Sequence, residues 1–446
     1  MIENIIKKNQ YKLFLIAYSG GMDSTVLLDY LCKIKKNHPQ ISIRAIHINH
    51  NIQIDSKKWQ THCVSVCKEY NIPLIIEKID INITKNIEEQ LRIERYNLIY
   101  KNLLHKEIIL TGHHLNDQCE TFFLSLKRGS GPTGLSAMSS ETIFGQTKIV
   151  RPFLTKTKEE IKNWANLNKL KWIEDFTNFN THYERNFIRH KILPVLEKKW
   201  PFFLKNCFRT THICNEETIL KNILLKEKIQ QYLNFNECLN ISSFKHLKEV
   251  LCKALIRYWI CLKNVKKPSY NNIQRVYNEI IYSRKDSNLK VIVQKNEIRC
   301  YKKFLYFVTI RKDIKNLIIF WHNTENTLQL PNNLGYIKKN NQKGINLPKP
   351  KNSELINIRF QYAGKILIMG RQKRRNIKKI WQEHNIPPWL RNQIPLLFYN
   401  DQLISALGVF VINRTINYQD NTKPNQWYLS WINDIPINNG NHLLCK

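Results

Sequence analysis

The sequence predicts an α/β protein: an N-terminal doubly wound parallel sheet, then a helical middle domain and a small α+β C-terminal domain. Three observations carry that expectation. Short apolar runs alternate with segments of helical periodicity along the first part of the chain, a mostly helical pattern follows, and β-like runs return near the end. At ~100–200 residues per domain, 446 residues suggest about three domains, each able to bury a core.

Residues 13–18 are apolar and read as a buried parallel strand. From Ser24 onward, Val26, Leu27, Leu28, Leu31 and Ile34 recur at helical spacing, so the chain runs strand, glycine loop, helix. The alternation repeats with strands at 41–48, 74–77 and 108–111 and helices at 56–70 and 87–104. After Arg151-Pro152, Thr157 with Glu160 three residues on is a capping-box pattern that opens a helix through Leu167. The first domain is expected to span residues 1–204. Residues 205–330 read as the middle domain, with amphipathic stretches at 217–232 and 244–262 and short β-like runs at 289–293, 304–310 and 317–321. The Asn- and Lys-rich stretch 331–352 reads as a linker. Residues 353–446 read as the terminal domain, with strands at 356–369 and 403–411 flanking a basic helix.

Lys+Arg 70 against Asp+Glu 35 gives a net charge of +35. Such an excess predicts a polyanionic partner, because Lys and Arg that neutralise phosphates release condensed counterions. Asn, Ile and Lys are over-used throughout, as an AT-rich coding bias would produce, so two readings of the charge stand side by side. With 43% hydrophobic residues the chain is not a disordered one. The 11 cysteines are scattered and include no CxxC, which excludes a zinc ribbon and a disulfide framework and suits a reducing cytoplasm. His62, Cys63 and Cys67 fall at helical spacing and read as a buried helix face rather than a metal corner. No run approaches the ~20 apolar residues of a membrane span, so no membrane partner is expected.

Only 13 glycines occur, and Gly20, Gly21, Gly112, Gly129, Gly131 and Gly134 all lie in the first third. The loop Ser19-Gly20-Gly21-Met22-Asp23-Ser24, between a strand and a helix, turns backbone N–H groups and a helix N-terminus toward an anion. Ser19 and Ser24 add hydroxyl donors. Asp23 would be repelled by phosphate alone, so its presence implies an intervening cation, Mg²⁺ in the first instance, with Asp23 as its ligand. The loop is neither GxxxxGK[ST] nor GxGxxG. A second constellation runs from Thr111-Gly112-His113-His114 through Asp117 and Glu120 to Lys127, Arg128 and the loop Gly129–Gly134. Asp117 and Glu120, three apart, share a helical face suited to an ammonium group or a metal; Lys127 and Arg128 suit phosphate. A basic run, Arg371, Lys373, Arg374, Arg375, Lys378 and Lys379, puts six bases in nine residues near Trp381 and Trp389, a pattern for RNA phosphate contact.

The SGGxDS loop resembles the PP-loop of the N-type ATP pyrophosphatases. Together with residues 111–121, Trp172-Ile173-Glu174-Asp175, Tyr183-Glu184-Arg185-Asn186-Phe187-Ile188-Arg189 and the helix residues Glu88, Arg92, Arg95 and Tyr96, it resembles the tRNA(Ile)-lysidine synthetase family. The resemblance extends to Gly370-Arg371, Lys378–Glu383 and Ile386-Pro387-Pro388-Trp389-Leu390-Arg391 near the C-terminus. It implies ATP binding by Ser19–Ser24, adenylation of the wobble cytidine of a CAU-anticodon tRNA(Ile), and attachment of free L-lysine at C2. Carried over residue by residue, Asp23, Asp117, Glu120, Lys127 and Arg128 become catalytic candidates, Asp117 and Glu120 also lysine-binding ones. Arg185, Arg189 and the C-terminal basic run become tRNA-binding candidates. The chain departs from the family pattern at Asn116, where a second Asp is usual, so only Asp117 is carried over. Two alternatives are a PP-loop tRNA thiolase, which would need catalytic cysteines or a cluster, and a non-catalytic basic RNA-binding protein. The oligomeric state, a dimer included, is left open.

Overall fold

The computed structural model describes residues 12–49, 56–79, 87–174, 176–234, 236–263, 268–282, 290–340, 344–413 and 426–433. Asp175 and the side chain of Glu88 lie outside the described residues. The chain divides into two compact units, Met1–Ile223 and Leu224–Lys446.

In the first unit β1 (Leu13–Ala17), β2 (Ser42–Asn49), β3 (Leu74–Lys78) and β4 (Glu107–Leu110) alternate with α1 (Met22–Asn37), α2 (Ser56–Glu69) and α3 (Ile87–Lys101). After β4 come α4 (Leu115–Lys127), β5 (Glu141–Phe144), β6 (Thr147–Val150) and α5 (Lys158–Leu167). The sheet order is β3-β2-β1-β4-β6-β5, parallel except for the β5–β6 hairpin at one edge. Burial on both faces explains why β1 reads as an unbroken apolar run: Phe14 and Ile16 pack with Val26, Leu27 and Cys63 of α1 and α2, whereas Leu15 packs on the opposite face with Ile99 of α3. Thr157 caps α5 as the sequence indicates, its Oγ1 accepting the Glu160 N–H at 3.2 Å. Cys63 and Cys67 are buried in the core beneath the glycine loop.

The second unit begins within the helix Phe203–Ile229. Helices Glu249–Cys261 and Tyr270–Tyr282 pack, through a core around Trp259 and Leu255, on an antiparallel sheet that includes Lys290–Val293, Asn296–Tyr301 and Phe304–Thr309. A five-stranded and a four-stranded antiparallel sheet share the C-terminal core around Ile358, Leu397 and Leu429.

Three sequence expectations change here. The stretch 331–352 holds strands Tyr336–Asn340 and Ile345–Pro348, which pair with Gln426–Ile432. In Ile345–Pro348 the buried Ile345 and Leu347 flank the exposed Asn346, and in Tyr336–Asn340 Ile337 is the one buried residue, so a polar composition concealed both strands. Ile318–Phe320, expected in the middle domain, is the edge strand of the C-terminal five-stranded sheet, beside Ile356–Arg359. The single strand expected over 356–369 is two, Ile356–Arg359 and Lys365–Ile366. Among the described residues no helix is long and apolar enough to cross a membrane.

Candidate active site

Strand order reverses between β1 and β4, and in open α/β sheets the crevice at such a point is where ligands bind. The two loops singled out in the sequence leave the sheet there, the first from β1 and the second from β4. In the β1–α1 loop Ser19 Oγ lies 3.1 Å from Ser24 Oγ and accepts the Gly21 N–H at 3.3 Å, while Ser24 Oγ and Thr25 Oγ1 both donate to Gly21 O at 3.0 Å. Gly21 is the N-cap of α1 and has no side chain to satisfy the helix's first N–H groups, which are left for an anion. Gly20 has φ +82, and a Cβ on it would meet Cys63 Sγ at 2.8 Å. From the other side Gly112 approaches so closely that a Cβ would stand 2.9 Å from the Asp23 carbonyl oxygen. The glycines therefore serve two ends: one shapes the loop, and the other lets the second loop press against it.

Asp23, on the first turn of α1, has one carboxylate oxygen, Oδ1, buried without a hydrogen-bond partner among the described residues. Burial raises its pKa; His114 opposes the shift and Asp117 adds to it. His114 stands between the two acids. It caps α4, with Nδ1 accepting the Asn116 N–H at 3.2 Å, and Asp117 Oδ2 closes the capping box by accepting the His114 N–H at 3.0 Å. With Nδ1 committed as an acceptor, the ring proton belongs on Nε2, which faces Asp23 Oδ2 at 3.7 Å and Asp117 Oδ2 at 3.5 Å. The sequence places His114 in the second constellation without a role of its own; the signal for that role is its N-cap position, three residues before Asp117.

Asp117 and Glu120 do share one face, and that face is occupied. Arg185 donates from Nη2 to Asp117 Oδ1 at 2.9 Å and from Nε to Glu120 Oε2 at 2.6 Å. Arg189 donates from Nε to Glu120 Oε1 at 2.6 Å and reaches Asp117 Oδ1 at 3.3 Å. Glu120 is fully buried. Burial alone would raise the Asp117 pKa, but His114, Arg185 and His113 hold it well below the usual carboxylate range. Arg185 and Arg189, expected to grip RNA phosphate, are thus committed to two carboxylates inside the protein. Next to them His113 donates to or accepts from Thr111 Oγ1 at 2.8 Å, and its pKa is lowered to about 3 by burial, reinforced by Arg185 and Arg151 against Asp117. Ile173 donates its N–H to Gly20 O at 3.0 Å, which brings the Trp172–Glu174 segment against the first loop.

Residues 1–196 match the PP-loop domain family, 239–306 the TilS substrate binding domain and 356–431 the TilS substrate C-terminal domain. The chain is 64% identical to the tRNA(Ile)-lysidine synthase of Buchnera aphidicola subsp. Schizaphis graminum, over 100% of both chains. It is 59% identical to that of Buchnera aphidicola subsp. Acyrthosiphon pisum, over 99% of each, and 36% identical to that of Shigella flexneri, over 91% of this chain and 94% of the relative. The chain belongs to the tRNA(Ile)-lysidine synthase family.

Within this member of the tRNA(Ile)-lysidine synthase family, Asn116 turns out of the crevice: its Oδ1 accepts the Lys158 N–H at the start of α5, 3.0 Å away, a task an Asp performs equally. The Asn116 side chain is thus engaged with the start of α5. Lys127 pairs with Glu184 on the surface and Arg128 is exposed, so neither points at the two acids. The C-terminal basic run is mostly a turn and a short strand, Arg375–Asn376, rather than a helix; only Lys378 and Lys379 lie on Ile377–Glu383. Glu383 neutralises Arg371, at 2.6 Å, and Arg375, while Lys373, Arg374, Lys378 and Lys379 are exposed.

Proposed function

We propose that the chain ligates free L-lysine to C2 of the wobble cytidine in the CAU anticodon of tRNA(Ile), consuming ATP, in the reducing cytoplasm that its free cysteines suit. The observation that carries this reading is the meeting, at one switch point, of an anion loop holding an unpartnered carboxylate oxygen with a buried acid–arginine set, joined by His114.

The free N–H groups at the start of α1 and the hydroxyls of Ser19 and Ser24 hold the ATP phosphates in line for attack. Asp23 fits a hard divalent cation such as Mg²⁺, because Oδ1 is a hard donor with no partner among the described residues. The ion, when bound, neutralises charge on the phosphates and the departing pyrophosphate. Cytidine O2 attacks the α-phosphorus and pyrophosphate leaves. The base is then electrophilic at C2, lysine's amine adds there, and AMP departs with the former O2. The base must be unstacked to present O2, which a loop nucleotide permits.

Lysine is held beside this set, with Asp117 facing its ammonium group and the partly exposed Arg185 and Arg189 its carboxylate, while Glu120, fully buried with both oxygens taken by the arginines, fixes their positions. A carboxylate held as low as Asp117 is a feeble base at neutral pH, so its role is to anchor charge and not to take the proton. Lys127 and Arg128 remain candidates for phosphate contact at the surface. Residues 1–204 perform the chemistry, while 205–330 and 353–446 hold the tRNA body, Lys373, Arg374, Lys378 and Lys379 supplying phosphate contacts.

Mass analysis of tRNA(Ile) after incubation with the protein, ATP and lysine tests the reading. A mass gain equal to lysine less water, confined to the anticodon loop and accompanied by AMP, is expected; added sulfur, or no gain, overturns it. Charge reversal of Lys373, Arg374, Lys378 and Lys379 lowers tRNA affinity and flattens its salt slope; an unchanged slope removes these residues from the interface.

A further inference from the structure

The second unit contains a cleft of about 640 Å³, within the size range of small-ligand sites. One wall is formed from strands Asn296–Tyr301 and Phe304–Thr309, and the other from residues 389–393, beyond helix Ile377–Glu383. Three features set it apart from a packing defect. The first is an oriented aromatic platform: Trp389 is met edge-on by Tyr306 at 5.3 Å and by Tyr301 at 6.3 Å, and the Arg299 guanidinium lies 5.7 Å from its ring centroid.

The second is uncompensated positive charge. Each acid that lines the cleft already has a cation: Glu237 pairs with Lys263, Glu297 takes Arg299 at 2.7 Å and Lys290 at 3.5 Å, and Asp313 meets Lys315 at 3.7 Å. Arg311 and Lys312 have no acidic partner among the described residues, and burial pushes the Arg311 pKa down with no carboxylate to oppose it. The third is an orphan acceptor, since Gln393 Oε1 is buried without a hydrogen-bond partner among the described residues. A ring face, two free cations and an acceptor lacking a donor match a nucleotide, which offers a π-face, a phosphate and an exocyclic amine.

We infer that this cleft receives one unpaired nucleotide of the RNA substrate, its base against Trp389 and Tyr306, its amine donating to Gln393 Oε1 and its phosphate held by Arg311 and Lys312. The inference rests on the proposed tRNA substrate. It assigns to the second unit a discrete nucleotide site, for a nucleotide other than the target cytidine and beyond general phosphate contact.

The test places 2-aminopurine in turn at each unpaired position of tRNA(Ile) and follows its fluorescence on binding to the full-length protein. One position outside the anticodon should respond with the wild type and lose its response with Trp389→Leu, while Trp389→Phe retains it. Both Trp389→Leu and the pair Arg311→Gln/Lys312→Gln should raise KM for full-length tRNA about 10-fold or more, with kcat and the KM for an isolated anticodon stem-loop unchanged. The Arg311/Lys312 pair preserves the test if loss of Trp389 disturbs folding. No responding position, or tRNA binding within about twofold of wild type for the charge pair, overturns the inference. So does stoichiometric binding of free AMP or CMP that full-length tRNA fails to displace, which would mark a free-nucleotide site. Because binding is read without turnover, a wild-type protein that binds tRNA but transfers no lysine would defeat the proposed function and leave this site standing.

Discussion

The loops at the ends of β1 and β4 face each other across the switch point and treat their carboxylates in opposite ways. On the β1 side Asp23 has a buried oxygen with no partner among the described residues and a pKa raised by burial. On the β4 side Asp117 and Glu120 accept five hydrogen bonds from Arg185 and Arg189 and sit deeper in the protein. An unsatisfied buried acceptor costs about 1–3 kcal/mol, which a ligand can recover on binding; a satisfied network is rigid before any ligand arrives. The first side is thus built to be completed by a cation and phosphates, and the second is a finished template for positioning. His114, with one ring proton aimed at both, is the physical link.

The largest effect expected from breaking this contrast is at Asp23. Asp23→Asn should lower lysine incorporation into tRNA by about 10²–10³-fold or more, the scale of losing one charge-stabilising group. Thermal stability should be unchanged or slightly raised, since a desolvated charge is removed. Radiolabelled-lysine transfer measured beside thermal unfolding checks both halves; intact transfer would remove Asp23 from the phosphate site. The opposite pattern is expected across the crevice. Glu120→Gln leaves two guanidinium groups poorly compensated in a buried place and should cost about 3–5 kcal/mol of stability. Adding Arg189→Met should cost much less than the two single losses summed, because the partner charge is removed with it. Additive losses in denaturant unfolding would show that the ion pairs are not one network.

How much of this was legible in the residues depends on whether the determinant was local. The β1 loop was readable because the strand, the glycines and the helix are adjacent in sequence, and periodicity gave β1 to β4 within a few residues. The hairpin Glu141–Val150 was missed because its short runs follow a glycine-rich loop and carry mixed polarity. Strands in 331–352 escape the reading because only Ile337, Ile345 and Leu347 of their residues are buried, and Lys and Asn make up most of the rest. At the site, Asp117 and Glu120 were found from their three-residue spacing. Their pairing with Arg185 and Arg189 was not, since it spans more than sixty positions of sequence and depends on where the segment after α5 returns. The same non-local return turned two supposed RNA-binding residues into internal counterions.

A smaller effect sharpens the contrast by asking how far the positive surroundings of the β4 side extend. His113 has its pKa lowered from 6.5 to about 3, first by burial and then by Arg185, Arg151 and Arg95. Between those values the unfolded chain binds the proton and the folded one does not, so folding loses stability as pH falls below about 6.5 and regains it as pH rises. By pH 5 the loss from this one ring amounts to about 2 kcal/mol relative to pH 7.5. His113→Asn keeps a polar group for Thr111 and has nothing to protonate, so its unfolding free energy should fall by about 2 kcal/mol less over the same range. Denaturant unfolding at pH 7.5 and pH 5 for both proteins makes the comparison. Parallel pH profiles would mean that His113 is already protonated or freely solvated, and the cationic environment would then end at the two paired arginines instead of reaching the end of β4.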